Sequence, residues 1–136
     1  MKIVLDTNVL MACYSPKSSL YPIWQAFRNQ KIKFCITSDI IEEYSEIICG
    51  KASPEIASLI VDIILQSPNC EYITKYFFWQ LIEADPDDNK FVDCGLMANA
   101  DYLVTDDRHF NILKTNSFPK IKVISAKKFL EIIENM

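Results

Sequence analysis

Short runs of β-branched and apolar residues alternate with amphipathic helical stretches along the chain, and few folds accept that alternation. Lys2 to Leu5 is such a run, and it meets polar residues at Asp6-Thr7-Asn8, as a buried parallel strand does at its carboxyl end. Leu20, Ile23, Trp24 and Phe27 repeat at helical spacing and predict a helix over Leu20 to Gln30; Phe34-Cys35-Ile36 reads as a second strand. Ser38 or Asp39 is suited to cap a helix through Ile48, with Gly50 placed to end it. Pro54 opens a further helix with Ile56, Leu59, Ile60, Ile63 and Ile64 on one face, stopping near Ser67-Pro68. Cys70 to Ile73 reads as a third strand. Asp87 or Asp88 is expected to cap a helix running to about Ala98, followed by strands at Tyr102 to Val104 and Lys122 to Ile124. Ser125 then caps a last helix with Phe129, Ile132 and Ile133 inward. Strands joined by helices imply an α/β fold, a three-layer α/β/α sandwich around a central parallel sheet.

At 136 residues the chain is expected to be one domain, residues 1–136, with no repeat or linker. The apolar run before Asp6 is too short for a secretion signal, and later runs fall below the roughly 18 residues that span a bilayer. A cytoplasmic protein without a membrane segment is expected. Cys13, Cys35, Cys49, Cys70 and Cys94 are widely spaced and odd in number, so they read as reduced thiols. With only Gly50 and Gly95, neither a GxGxxG dinucleotide turn nor a GxxxxGK phosphate loop can be built. His109 is the sole histidine, which excludes histidine-based metal sets; it reads as a surface residue.

In open parallel sheets the ligand site lies beyond the carboxyl ends of the strands, where the strand order reverses. Asp6 closes the first strand, Asp106-Asp107 follow Leu103-Val104-Thr105, Asp88 starts a helix, and Glu43 lies one turn into another. Each acid alone has a plain role as a turn, cap or solvated residue. Together they could bring carboxylates from separate segments to one rim. Clustered carboxylates repel unless a cation sits among them, and all-oxygen ligands suit Mg²⁺ or Mn²⁺. Two such ions can activate water and stabilise the leaving oxygen of a phosphodiester. They would also bring the formal charge of −4, at first an argument against nucleic acid, to about zero.

The strings Val4-Leu5-Asp6-Thr7-Asn8-Val9-Leu10, Ile41-Glu42-Glu43-Tyr44, Asp85-Pro86-Asp87-Asp88-Asn89-Lys90-Phe91 and Ala100-Asp101-Tyr102-Leu103-Val104-Thr105-Asp106-Asp107 resemble, in order and spacing, the PIN domains. The likeness is greatest to the VapC-like toxin components of bacterial toxin-antitoxin pairs, and it spans nearly the whole chain. The resemblance implies a Rossmann-like sandwich and Mg²⁺- or Mn²⁺-dependent ribonuclease chemistry. It puts the catalytic, metal-binding acids at Asp6, Glu43, Asp88 and Asp107, with Thr7, Asn8 and Thr105 supporting them by hydrogen bonds. It further implies an RNA substrate, an antitoxin partner and a homodimer. Two positions depart from the pattern. Asp106 stands where glycine is common, so either Asp106 or Asp107 could face the metal, and Gly95 stands where alanine is common. Asp93, five residues beyond Asp88, is expected to point elsewhere.

Basic residues are scattered; Lys90 and Arg108, each within two residues of a proposed ligand, are the expected phosphate contacts. The competing expectations are a PIN module that binds RNA or protein without cutting, and phosphotransfer through Asp6. The latter lacks the DxD motif, because Asp6 is followed by Thr7-Asn8. The aromatic stretch Tyr76 to Trp79 suits core packing, base stacking or a partner contact.

Overall fold

A strand covered on both faces must be apolar at successive positions, and Ile3, Val4 and Leu5 are all buried in β1 (Lys2–Leu5). A computed structural model describes residues 1–74, 89–114 and 121–136. Tyr76 to Trp79, the cap position at Asp87 or Asp88, and the proposed ligand Asp88 lie outside these residues. Among the described residues, β1 is the centre of a five-stranded sheet with β2 (Lys33–Ile36), β3 (Cys70–Tyr72), β4 (Tyr102–Val104) and β5 (Val123–Ile124). The order is β3-β2-β1-β4-β5 and every pairing is parallel. The chain therefore builds outward from β1 on one side, then returns to build on the other. The reversal falls between β1 and β4, with Leu5 in register with Val104.

Among the described residues, six α-helices flank this sheet: α1 (Thr7–Cys13), α2 (Tyr21–Arg28), α3 (Ser38–Lys51), α4 (Pro54–Gln66), α5 (Asn89–Ala98) and α6 (Ala126–Glu134). The expected α/β sandwich is the architecture. The α2 helix docks on β2 through aromatic rings: Phe27 stacks on Phe34 with centroids 3.9 Å apart, and Trp24 tilts against both. Phe129 of α6 packs against Tyr102 of β4 in the same tilted manner. No helix among the described residues is long and apolar enough to cross a membrane. All five cysteines are free, and burial pushes the Cys13 and Cys35 thiols up to about 12, which keeps them protonated.

Several local expectations are corrected. Thr37, and neither Ser38 nor Asp39, caps α3, because its extended backbone lets Oγ1 accept from the Ile40 amide at 3.3 Å. Gly50 lies within α3, which continues to Lys51, since no glycine takes the left-handed conformation that would stop it. The α4 stripe is narrower than expected: Ala57, Ile60 and Ile64 are buried, whereas Ile56 and Leu59 are exposed. The short α1 helix and a 3-10 helix at Arg108–Lys114 were not anticipated. Ser125 and Pro54 begin their helices as expected. Gly95 has a packing reason that composition did not reveal: a Cβ there would overlap the Ile121 Cδ1 methyl and lie 3.6 Å from Val4 Cγ2.

Candidate metal centre at the carboxyl edge of the sheet

The register of β1 on β4 decides what meets beyond the strand ends. The Asp6 amide continues the ladder by donating to the Val104 carbonyl at 3.0 Å, so Asp6 sits beside Thr105. Thr105 Oγ1 donates to Asp6 Oδ2 at 2.9 Å and accepts from the Asp107 amide at 3.0 Å. One buried hydroxyl thus holds the ends of both strands on the two sides of the order reversal.

Asp6 is buried, and its carboxyl is pushed from 3.8 up to about 6. Desolvation is the main cause; the Thr105 hydrogen bond opposes it, the charge of Asp107 adds to it, the Thr7 amide opposes it, and the charge of Glu43 adds to it. Asp6 therefore lies in the negative field of Asp107 and Glu43. Asp106, the rival to Asp107, is held elsewhere: its Oδ1 accepts from the Ala126 amide at 3.0 Å, at the start of α6. Asp107 Oδ1 accepts from the His109 amide at 2.9 Å, and the His109 ring lies against the same carboxylate with Nδ1 at 3.4 Å.

Glu43 comes from α3, whose buried stripe is Ile40, Tyr44 and Ile48. Tyr44 sets the register of that helix over the site: its hydroxyl donates to the Leu5 carbonyl at 2.5 Å, at the residue preceding Asp6. Burial pushes its ionisation well above the ordinary tyrosine range, so it remains a donor. Its neighbour Glu43 accepts from the Thr7 hydroxyl through Oε2 and from Lys90 Nζ through Oε1, the latter at 2.9 Å. Tyr44 stood in the string Ile41-Glu42-Glu43-Tyr44 without a role; the only available signal was its spacing from Ile40 and Ile48. Tyr44→Phe leaves the buried Leu5 carbonyl without this donor and is expected to cost about 1–2 kcal/mol in urea unfolding. An unchanged midpoint would contradict the anchoring role.

Of the expected supporting residues, Thr7 and Thr105 make such hydrogen bonds, whereas Asn8 is exposed on the first turn of α1 and makes none among the described residues. Lys90 is paired with Glu43, and Arg108 is exposed at the start of the 3-10 helix. Asp93 is buried on α5. Among the described residues, no three acid, histidine or cysteine side chains stand close enough to hold a metal ion as they are. Glu43 is drawn to Thr7 and Lys90, and Asp88 is not among the described residues. The donor chemistry nevertheless fits a hard cation: oxygen ligands only, one of them buried and raised in pKa by desolvation first and by the charges beside it second.

The PIN domain family profile matches residues 2–109. No curated protein sequence matches the chain. Among solved structures, VapBC2 from Rickettsia felis, bound to a DNA fragment from its promoter, matches with a TM-score of 0.63 at 17% identity, over 92% of this chain and 98% of that one. DNA-bound VapBC from Salmonella typhimurium matches at 0.61 and 18%, over 93% and 98%. The PIN domain endonuclease Utp24 matches at 0.53 and 17%, over 91% and 84%. At these identities the likeness is one of fold.

Proposed function

The chain belongs to the PIN domain family, and from that premise we propose that it is a single-domain, Mg²⁺- or Mn²⁺-dependent endoribonuclease. The observation that carries this reading is the buried Asp6, raised to about 6 and facing the charges of Asp107 and Glu43 across the order reversal of the sheet. In this reading Asp6, Glu43, Asp88 and Asp107 hold the metal. Asp106 is set aside because the α6 amide engages it. When bound, divalent ions supply an activated water and charge neutralisation at the phosphodiester.

The chain's own residues orient the site. Thr105 fixes Asp6 and Asp107 together, and Thr7 steadies Glu43. Arg108, exposed beside Asp107, and Lys90, paired with Glu43 in this structure, are the proposed phosphate contacts. The proposal extends to a cytoplasmic toxin component with an antitoxin partner and a homodimeric state; the fold it shares with the VapBC structures is consistent with the toxin component.

Purified protein is expected to cut single-stranded RNA with Mg²⁺ or Mn²⁺ and to lose that activity in excess EDTA. Cleavage undiminished by EDTA contradicts the mechanism. RNA binding without cleavage or divalent-ion affinity would favour the non-catalytic module.

A further inference from the structure

The ion pair between Lys90 and Glu43 occupies one of the four carboxylates assigned to the metal. Lys90 Nζ lies 2.9 Å from Glu43 Oε1, with the side chains only 20% and 22% exposed. Glu43 Oε2 is taken by the Thr7 hydroxyl, so both oxygens are already engaged. Lys90 also stands in the first described turn of α5, where the helix dipole disfavours a cation, and that turn, among the described residues, holds no acid. Glu43, from α3, is its ion-pair partner.

We infer that Lys90 is a tethered stand-in cation, which neutralises Glu43 in the metal-free protein and is displaced from it when a divalent ion binds. The inference rests on the metal-site reading and extends it. An ammonium and a dication on one carboxylate repel at short range, so the two compete for Glu43. The flexible four-carbon stem lets the ammonium leave towards solvent without moving α5. Released there, it becomes available to an RNA phosphate, which couples the phosphate contact to metal loading. The same competition accounts for why the described carboxylates do not stand as a ready-made metal cluster.

A double-mutant cycle read by Mn²⁺ titration calorimetry on the full chain tests this. Lys90→Met keeps the apolar stem, and it is expected to tighten Mn²⁺ binding roughly fivefold to tenfold. Lys90→Arg, which keeps the charge, is expected to stay within twofold of the parent. In a Glu43→Gln background, Lys90→Met is expected to change Mn²⁺ affinity less than twofold, because the competed carboxylate is gone. Binding by Lys90→Met where the parent binds no Mn²⁺ would also support displacement. Equal tightening in both backgrounds would show a general field effect and overturn the inference, as would no tightening in either. Absence of Mn²⁺ binding to both the parent and Lys90→Met overturns the metal-site reading itself, and the inference with it.

Discussion

Asp6→Asn is expected to lower metal-dependent RNA cleavage by about 10³-fold or more, on the scale of losing one group that organises charge in the transition state. The same substitution is expected to stabilise the metal-free protein at neutral pH. Asp6 ionises at about 6 in the fold against 3.8 for the free group, so the folded chain binds the extra proton between those values. Stability contributed by the neutral carboxyl is complete below about 3.8 and is lost as pH rises through about 6. At pH 7.5 the ionised carboxylate therefore costs the parent on the order of 3 kcal/mol, a cost that asparagine does not carry. Urea unfolding without metal should show Asp6→Asn more stable at pH 7.5, with the advantage shrinking towards pH 4. Adding Mn²⁺ should raise the parent's stability and leave the variant unmoved. A variant with parental cleavage, or one less stable at pH 7.5, would contradict these assignments.

Phe34→Ala is expected to have the largest effect on stability, a loss of about 3–5 kcal/mol. Phe34 is buried on β2, stacked on Phe27 with centroids 3.9 Å apart and flanked by Trp24 at 6.5 Å. The cavity would open where α2 meets the sheet, and the rings of α2 cannot close it without leaving their own contacts. Against the usual 5–15 kcal/mol for a domain, such a loss removes about a fifth or more of the total. A loss below about 1 kcal/mol in denaturant unfolding would show that the aromatic cluster does not hold α2 to the sheet.

The elements with one dominant cause were legible from residues alone. Lys2–Leu5 is the only apolar run that could end in Asp6, and Pro54 and Ser125 mark helix starts by chemistry that has few alternatives. Less legible were places where neighbours compete. Thr37, Ser38 and Asp39 can each cap a helix, and the outcome depends on which takes the extended backbone that leaves β2. The α4 sequence is apolar over most of its circumference, so periodicity could not single out Ala57, Ile60 and Ile64. The α1 helix follows Asp6 after one peptide bond and spans only Thr7–Cys13, too short for a periodic pattern to declare itself.

At the site, the positions of Asp6 and of Asp106-Asp107 after their strands were readable, but their orientation was not. The Ala126 amide that engages Asp106 lies 20 residues away, and the Leu5 carbonyl that fixes Tyr44 lies 39 residues away. The Lys90–Glu43 pair joins two helices across 47 residues. Such contacts follow from strand order and register and carry no local pattern.

In the proposed mechanism a divalent ion binds among carboxylates at the β1–β4 reversal. Anomalous diffraction from a crystal soaked in Mn²⁺ tests it directly. A manganese peak is expected within coordinating distance of the Asp6 and Asp107 carboxylates, with Lys90 withdrawn from Glu43. A fully soaked crystal with no peak at Asp6, or with manganese bound only elsewhere on the surface, would contradict it.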